Sequence, residues 1–213
     1  MENRVGEKSP WVAIWFKPKE TIRSIVDENP KRAFVLLSAI YGLPLAFNLI
    51  QNFAFSSTLP LWAILVGSLV ICPFLGMLGI SISTWLLHTT GKWIGGRGSF
   101  LNIRAAVAWS NVPTIVTIAM WVLLLGMFGS RALDRDFSQT QFVGIQAGLL
   151  FLVMLVELVI SVWGFVILLT ALAEVQGFSL WRAIFNVIIP FVSIVALVWL
   201  IGWALYGIGV INY

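Results

Sequence analysis

One acidic residue stands out because it lies deep inside a long apolar run. Glu157 is sixteen residues into a stretch that covers 142–173. A charged side chain at the centre of a bilayer costs at least about 2.5–3.5 kcal/mol on insertion scales, so this carboxyl must be neutral or paired. One interpretation is functional: Glu157 relays a proton, or binds a cation or a polar head group. The other is structural: Glu157 is protonated and hydrogen-bonded between helices. Candidate polar partners are Ser110, Asn111, Thr114, Thr117 and Asn186.

The rest of the chain offers little chemistry. It has one Cys, Cys72, and one His, His88, which are too few for a zinc site, a disulfide framework or an iron–sulfur cluster. The sequence contains no Gly-x-Ser-x-Gly, no His-Glu-x-x-His and no pair of aspartates at protease-like spacing. We therefore expect no catalytic residues, no metal and no cofactor.

A glycine-rich basic loop over 91–99 suggests a phosphate contact. Glycines expose backbone N–H groups, and Lys92 and Arg97 add positive charge. The loop lacks the Walker spacing and a preceding strand, so nucleotide binding is not expected. Contact with lipid phosphates is the simpler interpretation.

Composition identifies the elements that must position these residues. Of the 213 residues, 60% are apolar and only 10% are charged, against about 25% charged in an ordinary soluble domain. This excludes a soluble enzyme or a nucleic-acid-binding protein and predicts an all-α membrane protein. Five stretches reach the roughly 20 apolar residues that a span needs. The predicted spans are about 33–53, 61–88, 105–128, 142–173 and 183–210.

The distribution of Lys and Arg predicts the orientation. With the N-terminus in the cytoplasm, eleven Lys/Arg lie in the tail and inside loops, and only Arg131 and Arg135 lie outside. This bias follows the positive-inside rule and places the C-terminus outside.

The first 32 residues form a separate tail that holds twelve of the chain's charges. Apolar residues recur in it at helical spacing, and Pro18 and Pro30 divide it into two short segments. Those apolar residues are Trp11, Ile14, Trp15, Ile22, Ile25 and Val26. We expect an amphipathic stretch that lies on the inner membrane surface, packs under the helix bundle, or does both.

Two further patterns concern helix packing. The segments 98–105 and 177–183 resemble each other, and each leads into a span that carries a proline, Pro113 or Pro190. Either the second and third spans and the fourth and fifth are a duplicated hairpin, or these are common features of membrane helices. Small residues at four-residue spacing, Ser68, Cys72 and Gly76, predict close helix contact within the bundle or between copies.

Three segments together resemble a known family. They are 11–22, the stretch 95–100 followed by Pro113, and 172–183. In this order they are similar to bacterial-type members of the Yip-one domain family, the Ypt/Rab-interacting integral membrane proteins. The resemblance implies a polytopic protein with a cytoplasmic N-terminus and five spans. The sequence lacks the Asp-Leu-Tyr-Gly-Pro motif and the long N-terminal region of eukaryotic members, so Rab binding is not implied.

The sequence therefore predicts a non-enzymatic adaptor or membrane-organising factor in the bacterial cytoplasmic membrane. The alternative is a small transporter, channel or lipid-moving protein that uses the repeat interface and Glu157. Expected partners are membrane lipids, a protein on the cytoplasmic face and a second copy of the chain, but not nucleic acid. The intramembrane candidates are Glu157, Asn111 and Asn186. The lipid- or partner-facing candidates are Trp11, Trp15, Lys17, Lys19, Lys92, Arg97, Arg104 and Arg182.

Overall fold

The computed structural model describes residues 9–207, apart from the side chains of Ser138 and residues 204–207. It is 84% helical, and the described residues include no strand. Within this described part, five helical segments are long and apolar enough to cross a membrane. Together with the helical content, this confirms the predicted all-α class. Residues 1–8 of the predicted tail and 208–210 of the predicted fifth span lie outside the described part.

Eight α-helices follow one another in residues 9–207. They are α1 (Pro10–Phe16), α2 (Pro18–Glu28), α3 (Phe34–Asn52), α4 (Leu61–Trp93), α5 (Phe100–Ser110), α6 (Thr114–Phe128), α7 (Gly144–Gln176) and α8 (Leu180–Gly207). Pro18 begins α2, where its missing N–H has no helical partner in any case. The two short tail helices thus meet at the proline that the sequence indicated.

Helices α3 and α4 pack backbone to backbone. A Cβ added to Gly76 would overlap the Ser38 carbonyl group, and one added to Gly42 would overlap the carbonyl of Cys72. Ser68, Cys72 and Gly76 are buried, so this stripe of small residues packs inside the bundle. By contrast, a Cβ on Gly148 of α7 would meet nothing within 4 Å.

The third apolar segment, Phe100–Leu133, is broken rather than continuous. Helix α5 ends at Ser110 and α6 begins at Thr114, whereas Pro44 and Pro190 lie within uninterrupted helices. Pro113 has no N–H to donate to the preceding turn. The Asn111 side-chain amide donates to the Val107 carbonyl at 2.7 Å, which satisfies a carbonyl group near the end of α5.

Helix α5 lies at the centre of the packed core. Its residues 105–110 are all buried, and it contacts α2, α3, α4 and α7. Helix α8 packs on α4 and α7 through its first half, and residues 191–203 are all exposed on the isolated chain. The core therefore concentrates at the end of the bundle where α1, α2 and α5 meet.

Candidate functional site

The tail helices α1 and α2 cover one end of the bundle, called here the capped end. Their apolar face is buried, since Ile14 and Ile22 are fully inaccessible and Ile25 is 1% exposed. The ring of Trp11 lies 5.1 Å from that of buried Trp109 in α5. Of the two interpretations of the amphipathic tail, packing under the bundle is therefore the one that the contacts show.

An acidic residue of α7 holds α2 in place. The Glu174 carboxylate accepts a hydrogen bond from Arg23 and forms an ion pair with it. The same carboxylate lies 3.6 Å from the Lys19 ammonium. The Glu174 side chain is only 13% exposed, so this interaction is less screened by water than an ordinary surface pair. Both the apolar face and the charged edge of α2 are thus bound to the bundle.

The two similar loops at the capped end contact each other. The Arg97 backbone N–H donates to the Gln176 carbonyl at 3.1 Å, and the buried Gln176 side chain lies against Gly91 and Gly96. A Cβ on either glycine would overlap the Gln176 amide. The Ser99 side chain caps α5 by accepting from the Asn102 N–H at 3.2 Å. Gly91 and Gly96 therefore serve close packing.

The predicted lipid- or partner-facing residues divide into two groups. Exposed ones are Lys17, Lys19, Lys92, Arg97 and Arg182, and the neighbouring Trp93 and Trp181 are 70% and 72% exposed. Trp11 and Trp15 are half-buried and pack against the core. The half-buried Arg104 has its guanidinium carbon 4.3 Å from the centroid of the Phe34 ring. The structure thus gives Trp11, Trp15 and Arg104 packing contacts within the chain.

The predicted intramembrane residues lie at two different places in the structure. Thr117 of α6 donates to the Glu157 carboxylate at 3.0 Å. Both line a cleft of about 400 Å³ between α7 and the break at 111–113, together with Ser110, Asn111 and Thr114. Asn186 lies elsewhere, because its Oδ1 accepts from Thr90 of α4 at 2.7 Å.

Gly164 of α7 lies beside the end of α5. A Cβ on Gly164 would lie 3.4 Å from the Ser110 carbonyl oxygen, and Gly164 and the exposed Ser161 both line the cleft. The sequence reasoning missed these two residues. Their positions four and seven residues after Glu157 place them on the same helical face, which is a signal that could have found them.

Glu174 and Gln176 are two further residues whose roles were missed. Glu174 is the one acidic residue flanking the inner end of the fourth span, and charge complementarity with the basic tail could have pointed to it. Gln176 gave no comparable signal, because its burial results from the contact between two loops. A group of three or more His, Cys, Asp or Glu that could hold a metal ion does not occur among the described residues.

A second cleft of about 440 Å³ lies at the opposite end of the bundle. Its lining includes an aromatic cluster and four charged residues. The cluster is formed by Phe128, Phe137 and Phe142, and the charged residues are Arg131, Asp134, Arg135 and Asp136. The four charges of the loop after α6 therefore lie together at the end away from the cap.

Comparison with known proteins gives one match. A family model described as the Yip1 domain matches residues 12–204. The searches of curated proteins and of solved structures found no significant match.

Proposed function

Because this chain belongs to the Yip1 domain family, we propose that it is a non-enzymatic membrane adaptor or membrane-organising factor, of the bacterial type, whose capped end faces the cytoplasm. The observation that carries this proposal is the cap itself. Helices α1 and α2 are folded onto the bundle through Ile14, Ile22 and Ile25, so the cap is a preformed surface. Binding to a preformed surface loses less conformational entropy than binding to a disordered tail.

The chemistry of this surface favours an acidic partner beside anionic lipids. Lys92, Arg97 and Arg182 are exposed at the capped end, and Trp93 and Trp181 flank them. Tryptophan prefers the membrane–water interface, and each basic side chain near an anionic surface contributes about 1 kcal/mol. In this proposal lipids and a protein are held at one face, and a second copy of the chain is a further partner.

The proposed location is the bacterial cytoplasmic membrane, with the N-terminus inside and the C-terminus outside. The strong excess of Lys and Arg at the capped end supports it. The alternative function, as a transporter, channel or lipid-moving protein, would use the cleft at Glu157.

Site-specific photo-crosslinking in native membranes tests the adaptor function. A photoreactive amino acid replaces Lys92 or Arg182 at the capped end, and Arg131 at the opposite end serves as the matched control. We expect a discrete protein adduct from the capped end only. It should be lost when the basic residues that remain beside the photoreactive position are changed to Gln, namely Arg97 with Arg182 or Arg97 with Lys92. Equal adducts from both ends, or lipid adducts alone, would contradict the proposal.

A further inference from the structure

The cleft at Glu157 has a chemical character that the adaptor function does not use. Three of its polar side chains, Ser110, Asn111 and Thr117, use a hydrogen-bond donor inside the protein. The Ser110 hydroxyl donates to the Val107 carbonyl at 2.8 Å, the Asn111 amide donates to the same carbonyl at 2.7 Å, and Thr117 donates to Glu157 at 3.0 Å. Apart from the second N–H of the Asn111 amide, what these three side chains have left to offer a ligand is oxygen lone pairs.

The carboxylate of Glu157 adds to the excess of hydrogen-bond acceptors over donors in the cleft. A carboxylate accepts at up to about four positions, and Thr117 occupies one of them. Among the described residues, no Lys, Arg or His forms an ion pair with Glu157. The cleft is therefore rich in acceptors and holds one acidic group, which has no basic partner in the described part of the protein. Such a cleft is complementary to a cation that has N–H donors.

The position of the cleft indicates how such a cation would reach it. Glu157 lies 17 residues before Glu174 on the same helix, which is about 25 Å along the axis. Ser161 and Phe165 line the cleft and are exposed on the outer side of the bundle, beside exposed Leu158 and Val162. The cleft is thus reached sideways from the apolar surface that five membrane-crossing helices present to lipid.

We propose that the cleft between α7 and the α5–α6 break binds a primary ammonium group carried by a membrane lipid. An ammonium has three N–H donors, which match the Glu157 carboxylate, the Asn111 Oδ1 and the hydroxyl oxygen of Ser110 or Thr114. The cleft of about 400 Å³ is far larger than a bare metal ion needs. A head group bearing three N-methyl groups has no N–H to donate and would not satisfy these acceptors.

Photo-crosslinking of the purified full chain in phosphatidylcholine nanodiscs tests the site. The probe is a photoactivatable phosphatidylethanolamine, and mass spectrometry locates its adducts. We expect adducts on peptides of α6 and α7 that line the cleft. Unlabelled phosphatidylethanolamine should compete, whereas additional phosphatidylcholine should not.

Variants then connect the adducts to the named residues. Glu157→Gln keeps an acceptor for Thr117 but removes the charge, and we expect about tenfold less adduct or lower. Asn111→Leu removes a second acceptor and gives an independent test if Glu157→Gln folds poorly. Glu20→Gln is the control, since it neutralises an exposed acid of α2 that does not line the cleft, and the yield in the cleft should stay unchanged.

Further competitors identify the source of the ammonium group. Competition by soluble ethanolamine at concentrations similar to the lipid would support ammonium recognition but assign the site to soluble amines. Competition by sodium or potassium chloride alone, equal labelling by a photoactivatable phosphatidylcholine, or an unchanged adduct yield in both cleft variants would overturn the proposal. None of these outcomes depends on the function of the capped end.

Discussion

At the residue scale, the absence of a Cβ at Gly42 and Gly76 decides how closely α3 and α4 approach. Gly76 contacts the Ser38 backbone, whereas a Cβ on the exposed Gly67 of the same helix would meet nothing within 4 Å. Gly76 is required because a side chain there would overlap α3. Gly67 has no such contact, so its only effect is to weaken the helix.

We expect Gly76→Ala to destabilise the protein by about 1–3 kcal/mol, because the two helices must separate to accept a methyl group. Gly67→Ala is the matched control and should be neutral or stabilising by about 0.5–1 kcal/mol. Thermal unfolding in detergent micelles measures both. Equal midpoints for the two variants would show that the helices do not contact each other at Gly76.

Glu174 is the second residue whose side chain has a specific effect on stability, because it attaches α2 to the bundle. We expect Glu174→Gln to weaken the attachment of α2 by about 1–2 kcal/mol, because it removes the charge that Lys19 and Arg23 share. Faster hydrogen exchange of the α2 amides would report the loss. Glu20→Gln is the control, because its pair with Lys17 is largely exposed on both sides and should contribute about 0.5 kcal/mol or less. A larger effect from Glu20 than from Glu174 would contradict this assignment.

At the element scale, α2 is an amphipathic helix whose apolar face is already occupied. Such a helix could lie on a lipid surface, yet Ile22 and Ile25 are buried among residues of α5 and α7. The stability of the cap therefore comes from packing against the bundle, and lipid is not needed to cover that face.

We expect Ile22→Ala to release α2 at a cost of about 2–4 kcal/mol, because it leaves a cavity at a fully buried position. The exposed residue Val12 provides the control, and Val12→Ala should change stability by about 0.5 kcal/mol or less. Limited proteolysis in micelles, followed by mass spectrometry, measures release as cleavage within 17–32. Protection of that segment in Ile22→Ala would show that the cap does not depend on this packing.

At the scale of the whole molecule, an odd number of crossings places the two termini on opposite sides. The five candidate spans and the asymmetry of Lys and Arg together favour the N-terminus inside. The capped end would then hold both the tail and the basic loops on one face, as the adaptor proposal requires.

We expect a reporter fused to the N-terminus to be cytoplasmic and one fused to the C-terminus to be external. A third reporter inserted into the loop at 134–142 should be external as well, since this loop lies at the end away from the cap. A cytoplasmic C-terminal reporter would contradict both the count of crossings and the proposed orientation.

Much of the architecture follows from local chemistry in the chain. Long apolar runs predict the membrane-crossing helices, Pro18 separates α1 from α2, and Ser99 caps α5. These features depend on hydropathy over about 20 residues or on contacts between near neighbours, so a single sequence contains the necessary information.

The sites depend on contacts between distant residues, and these required the tertiary structure. Periodicity indicated an apolar face on α2, but only packing showed that the bundle occupies it. Several polar residues could have reached Glu157, and the fold selected Thr117, 40 residues away, while Asn186 paired with Thr90. The physical reason is that hydropathy determines which residues enter the membrane, whereas crossing positions and helix breaks determine which of them meet. The class of this protein therefore follows from its scarce charges, and its polar cleft follows from the break at Pro113.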